Sequence, residues 1–237
     1  MTFDLPRGRL VPVSRIEVRL DPGQHPWEIE NAEAIEANWR REVSANPALF
    51  DGRTVLLSEL TYTGGVLAGR CHAVHYATLL YWRDHRPTGA EHAFAHAALV
   101  CSDGALVAIR MAAHTANPGR VYFAAGSFEP TDVDADGLVD AEGNMVREVR
   151  EETGLDISAV QHEADYLLFS QDGASVAFRR YHLGETADRV AARVAEYVKA
   201  QAQSEIEEAV IIRGRDDIPP GAMPYMKAFI DWHFGGK

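Results

Sequence analysis

The chain reads as an α/β sandwich with a mixed, largely antiparallel sheet, preceded by an N-terminal α+β extension. Three observations predict this class. Apolar and polar residues alternate over short runs, the period of half-buried strands. Asp-Gly pairs at Asp103-Gly104 and Asp172-Gly173 separate such runs where two-residue hairpin turns form. Segments of helical period are interleaved among the strands, with no internal repeat and no low-complexity linker. We place a division near residue 88. Residues 1–88 form the α+β segment, integral to the fold or separate from it, and 89–237 form the main domain.

The elements follow in order. SRIEVRL (14–20) alternates Ile16, Val18 and Leu20 with polar neighbours and predicts a strand. Pro26 suits the first turn of a helix. Ile29, Ala32, Ile35, Trp39 and Val43 then recur at helical spacing until Pro47 and Gly52 stop it. RTVLLSELTY and RCHAVHYATLLYW read as strands on either side of the TGG turn. HAFAHAALV, ALVAIRMA and VYFAAG predict three more, the first two joined as a hairpin by Asp103-Gly104. DYLLFS and SVAFRRYHL pair around Asp172-Gly173. ETADRVAARVAEYVKAQAQ is an amphipathic helix with Val190, Val194 and Val198 on one side. EAVIIR is a short buried strand, and MPYMKAFIDWHF a closing helix.

Bulk composition narrows the function. With 35 acidic and 23 basic side chains the formal charge is −12. That argues against the concentrated basic surface of a nucleic-acid binder, but not against a phosphate-bearing small molecule neutralised by a divalent metal or a few arginines. Cys71 and Cys101 have neither metal-ligand spacing nor the pattern of a disulfide framework. The N-terminal MTFDLPRGRLVPVSR lacks the apolar stretch of a signal peptide, and no apolar run reaches the roughly 18 residues of a membrane span. A cytoplasmic setting without a membrane partner is the expectation. The front segment fits a dimerisation arm, a substrate lid or an integral sheet layer, and a homodimer stays open.

The chemistry gathers in REVREETGL (147–155). Residues three and four apart on a helix lie over one another, so Glu148, Glu151 and Glu152 converge on one edge. Three carboxylates at close quarters repel unless a cation sits among them, and hard oxygen ligands favour Mg²⁺ or Mn²⁺. On its own the string also describes a solvated helix face. Upstream, however, lies Gly126, followed after five residues by Asp132. Together these residues resemble the box of the Nudix hydrolases: G, five residues, E, seven residues, then R-E-(apolar)-x-E-E-x-G-(apolar). The second half matches at Arg147, Glu148, Val149, Glu151, Glu152, Gly154 and Leu155. Gly154 ends the helix and Leu155 tucks back. The first half departs twice: Asp132 stands for Glu, and fourteen residues separate it from Arg147.

The resemblance implies an α/β/α sandwich and a metal-dependent hydrolase of a diphosphate linked to another group. It implies Glu148, Glu151 and Glu152 as metal ligands and catalytic residues, and Arg147 as an orienting group toward the Gly126–Glu129 loop. Glu129 takes the G-G-x-x-E position of the family and joins the catalytic candidates. Downstream, SEIEEAVII resembles a stretch entering a late Nudix strand, which makes Glu205 and Glu208 candidates for base or extra ligand. Gly126, Ser127, Arg110 and His114 are the candidate substrate contacts. Residues 38–57, with the interrupted box, resemble the nucleotide-sugar, UDP-glucose-type pyrophosphatases, whereas 119–132 loosely resemble the coenzyme A type. A nucleotide sugar is the preferred substrate. Coenzyme A or ADP-ribose hydrolysis, and a non-catalytic nucleotide-binding domain, are the alternatives.

Other features weigh less. DVDADGLVDAEG (132–143) begins like an EF-hand calcium loop, but Gly143 stands where the closing bidentate Glu belongs, so Ca²⁺ is not expected there. His92 and His96 share a face if their segment is a strand; structural histidines are the commoner outcome. Trp39, Arg53 and Tyr62 are candidates for a base pocket, with core packing the simpler role for Trp39. Arg179 and Arg180 are candidates to meet phosphates, with exposed strand arginines the simpler reading.

Overall fold

A computed structural model describes residues 2–47 and 49–236. Ala48, within the segment expected to stop the helix from Pro26, lies outside the described residues, as do the two terminal residues. The chain divides into two compact units. Unit 1 comprises 1–94, 127–141 and 168–176; unit 2 comprises 95–126, 142–167 and 177–237. The class is α/β with mixed sheets, as the sequence predicts.

Unit 1 holds a four-stranded sheet of order β1-β4-β5-β3, formed by β1 (Phe3–Asp4), β3 (Arg15–Asp21), β4 (Arg53–Thr63) and β5 (Val66–His75). β4 and β5 form an antiparallel hairpin, while β1 joins β4 and β3 joins β5 in parallel. The hairpin turn uses Gly64 and Gly65, both at positive φ (58° and 85°), where a side chain would be strained. α1 (Pro26–Glu30), α2 (Ala32–Ala45) and α3 (Tyr76–His85) belong to the same unit. Trp27, Ile35, Leu56, Val74, Leu79 and Trp82 form its core, with Trp39 packed at the edge.

Three expectations for this region are corrected. The single helix from Pro26 is two, broken at Asn31, whose N–H and side chain bond back to Trp27. Ile29, placed by periodicity on the buried face, is 59% exposed. RCHAVHYATLLYW is strand only to His75. α3 starts at Tyr76, with the Ala77 N–H donating to Oδ1 of Asp51 at 2.9 Å. That partner is distant in sequence, and an apolar run of this length suits strand or helix equally.

The lengthened motif loop also belongs to unit 1. Val133 and Val139 bridge antiparallel and the loop turns at Gly137 (φ 78°), so 133–139 is a small hairpin. It covers the edge of β3: the Val139 N–H donates to Val18 O (2.8 Å) and the Leu20 N–H to Gly137 O (2.9 Å). Arg19 donates to Asp136 O at 2.6 Å. Ser127–Phe128 lies beside β4, where the Val55 N–H and Thr54 Oγ1 both donate to Phe128 O. β2 (Leu10–Val13) also belongs to this unit.

Unit 2 is organised on a sheet of order β11-β7-β6-β10-β9, from β6 (His92–Val100), β7 (Leu106–Met111), β9 (Tyr166–Gln171), β10 (Ala174–His182) and β11 (Ile206–Ile212); β6, β9 and β10 each begin or end in unit 1. β6 and β7 pair antiparallel around Asp103-Gly104, with Leu99 opposite Val107. β11 pairs antiparallel with β7. The strand expected over VYFAAG is only β8 (Val121–Tyr122), on the β7 side. α4 (Ala141–Thr153), α5 (Ala187–Ala200) and α6 (Pro224–Phe234) complete the unit. Val190 and Val194 are buried as the α5 pattern requires, each worth about 1.5–3 kcal/mol if fully removed from water. Phe178 and Phe229 stack in the core with centroids 4.7 Å apart, and Phe123 meets both edge-on. Among the described residues no helix is long and apolar enough to cross a membrane.

Candidate active site

Helix α4 positions the carboxylates. Met145 and Val149 are fully buried and Thr153 nearly so, fixing one face of the helix in the unit 2 core. Glu148 and Glu152, one turn apart, lie beside that face. Glu152 is 5% exposed, whereas Glu151 projects outward. The helix ends as expected. Gly154 takes φ 70° and its N–H bonds Arg150 O, while Leu155 is buried and donates to Thr153 Oγ1. Tyr197 of α5 lies against Gly154 so closely that a Cβ there would strike its ring. The Tyr197 hydroxyl also donates to Glu151 O at 3.1 Å.

The loop after β8 meets this helix at atomic distance. The Ala125 N–H donates to Oε2 of Glu152 (2.9 Å), and a Cβ added to Gly126 would overlap the Glu148 carboxylate. Gly126 is therefore required by close approach. Burial pushes the Glu152 carboxyl well above the usual carboxylate range, and Glu148, Glu205 and Glu151 push it the same way against the Ala125 amide. Tyr122 is raised by burial and then by Glu152, Glu205 and Glu148, so the phenol belongs to the same neighbourhood. Sequence reading overlooked Tyr122; its place two residues before the Ala124-Ala125 pair was the available signal.

The remaining candidates divide. Arg147 pairs with Glu148 (2.8 Å) and with Glu151 (3.0 Å). Arg110 donates from Nε to Glu208 Oε1 at 2.9 Å, and from its terminal nitrogen to Pro220 O at 3.0 Å and Gly119 O at 3.4 Å. Glu208 and Arg110 thus occupy one another. Glu205 begins the β11 region, its carbonyl accepting the Ala112 N–H. His114 is exposed in the loop after β7. Ser127 and Glu129 lie in unit 1: Ser127 Oγ is 3.1 Å from His92 Nε2, and Glu129 caps the short 3-10 turn Pro130–Asp132. Asp132 returns the bond, accepting the Glu129 N–H at 2.9 Å. In the loop read against an EF-hand, Oδ1 of Asp134 accepts the N–H groups of Asp136 and Leu138. Arg53 donates to Ala73 O and Tyr62 to Pro12 O, both within unit 1.

The donor set suits a hard divalent cation. Glu148, Glu151 and Glu152 offer oxygen ligands only, and Glu148, Glu205 and Glu151 all act on Glu152 as like charges. In the arrangement described, Arg147 holds two of the three, and among the described residues no three acidic, histidine or cysteine side chains stand at ligand spacing. The donor chemistry suits a metal, but the side chains do not stand at ligand spacing.

No protein-family model matches the sequence, and no curated protein matches it. Similar chains occur among solved structures. A MutT protein from Methanosarcina mazei Go1 is 17% identical, with a TM-score of 0.39 over 60% of this chain and 91% of that one. An Ap4A hydrolase from C. elegans is 15% identical, with a TM-score of 0.39 over 61% and 95%. A MutT NUDIX hydrolase from Burkholderia pseudomallei is 16% identical, with a TM-score of 0.37 over 59% and 95%. The functional reading rests on the site itself.

Proposed function

We propose that the protein is a Nudix-type hydrolase that cleaves the diphosphate linkage of a nucleoside diphosphate joined to another group, with a nucleotide sugar as substrate. Mg²⁺ or Mn²⁺ is held by Glu148, Glu151 and Glu152. One observation carries the reading: Gly126 abuts Glu148 while the Ala125 N–H binds Glu152, so a loop and a helix far apart in sequence meet through the residues the motif names. The nucleotide-sugar preference is supported by residues 38–57 together with the interrupted box.

The bound ion would neutralise the diphosphate and stabilise charge on the leaving phosphate. The chain supplies the rest. The Ala125 amide fixes the rotamer of Glu152. Arg147 orients Glu148 and Glu151. Glu208 is engaged by Arg110, so we assign to Glu205 the proton taken from the attacking water.

The test is phosphate release from UDP-sugars, ADP-ribose and coenzyme A, with and without Mg²⁺. We expect Mg²⁺-dependent turnover of a UDP-sugar, lowered about 100-fold or more by Glu152→Gln with the circular dichroism unchanged. Turnover of coenzyme A or ADP-ribose instead would move the substrate class and keep the hydrolase. No turnover on any of them, with nucleotide binding that survives Glu152→Gln, would make the protein a binding module.

A further inference from the structure

A diphosphate needs directional donors as well as charge neutralisation, and the two arginines that the sequence places near it are otherwise engaged: Arg147 by Glu148 and Glu151, Arg110 by Glu208, Gly119 and Pro220. Tyr122 on β8 stands three residues before Ala125, whose N–H holds Glu152, and four before Gly126, which abuts Glu148. Its side chain is 7% exposed and fixed by β7, with Ile109 opposite it, and by His96 edge-on at 5.8 Å. The phenolic oxygen accepts from Nδ2 of Asn117 at 3.4 Å. A phenol that already accepts one hydrogen bond has its own proton left to give, and at neutral pH it keeps that proton. A neutral donor among carboxylates adds no repulsion toward a metal-bound anion and discriminates by direction alone.

We propose that Tyr122, oriented by Asn117, is a substrate-binding residue that donates its hydroxyl proton to an anionic oxygen of the bound diphosphate. The assignment rests on the hydrolase reading of the same site. Truncating the donor removes a hydrogen bond to a charged group that is made equally before and during reaction, so KM rises while kcat holds.

The experiment uses the full chain and three variants, Tyr122→Phe, Asn117→Ala and the pair combined. Steady-state kinetics are taken on whichever panel substrate turns over, and calorimetric binding is measured for ADP with Mn²⁺ and for Mn²⁺ alone. We expect Tyr122→Phe to raise KM and the ADP dissociation constant about tenfold or more, with kcat and the Mn²⁺ dissociation constant within twofold. Asn117→Ala should give a smaller rise in the same direction, and the double variant no more than Tyr122→Phe alone. KM and ADP affinity within twofold of the parent chain would overturn the assignment. So would a loss that follows weaker Mn²⁺ binding or a lowered unfolding midpoint, since packing explains that. A parent chain that neither turns over the panel nor binds ADP with Mn²⁺ overturns the hydrolase reading first, and this inference with it.

Discussion

Acidification should weaken unit 2 in part through one buried imidazole, His96. His96 is 1% exposed, ringed by Tyr225 at 5.2 Å, Phe178 at 5.4 Å and Tyr122 at 5.8 Å. Burial holds its pKa down at about 3, against 6.5 when exposed, despite a backbone hydrogen bond at Phe123 that favours the charged form. The folded value is the lower one. Between the two, the unfolded chain therefore takes up a proton that the folded chain refuses. The contribution is fully present above 6.5 and is lost as pH falls below it. At pH 5 the distance from 6.5 is about 1.5 units, at about 1.4 kcal/mol per unit. The expected loss is about 2 kcal/mol relative to neutral pH. Tyr122 and Tyr225, the titratable groups facing the ring, are both raised and keep their protons throughout. Urea unfolding of the parent chain and of His96→Leu at pH 7 and pH 5 isolates the effect, because every other titration is common to both. The parent chain should lose about 2 kcal/mol more than the variant. An equal pH dependence for the two would refute the argument.

Three further outcomes follow from geometry. Gly126→Ala puts a methyl group into the Glu148 carboxylate; the side-chain tip can swing aside, so the unfolding midpoint should hold while kcat/KM falls about tenfold or more. Gly154→Ala meets both the left-handed backbone and the Tyr197 ring, and should cost at least about 1–2 kcal/mol in urea unfolding; a neutral result would mean that α5 yields there. Removal of residues 1–88 deletes β3 and β4, which accept and donate the hydrogen bonds of 127–139 within unit 1. The remainder should lack a cooperative unfolding transition by differential scanning calorimetry.

What could be read from the chain was local. Asp172-Gly173, both at positive φ, and the Gly154 stop follow from residue chemistry within a few positions, and so does the buried face of α5. The helix over REVREETGL was legible from its residues, but its spacing did not tell that Glu152 is buried while Glu151 projects outward. Misreadings arose where a distant partner decides. α3 begins at Tyr76 because Asp51 offers its carboxylate to the first turn, and nothing in RCHAVHYATLLYW announces that. Ile29 keeps the helical period, yet the break at Asn31 turns it outward. Pairing of Arg110 with Glu208 is set by the β7–β11 register, invisible without the sheet. The gathering of 127–141 and 168–176 with the front of the chain rests on backbone hydrogen bonds, which carry no residue signature.

The small hairpin at 133–139 limits how this motif can be transplanted. Grafted from Gly126 to Leu155 into another scaffold, the segment would bring along the backbone groups of Gly137 and Val139 that now satisfy β3, and they would meet only water. A portable version would have to excise the added stretch and close the loop at the shorter spacing. The enlargement works as an adaptor, and it belongs to the host sheet as much as to the helix that follows it.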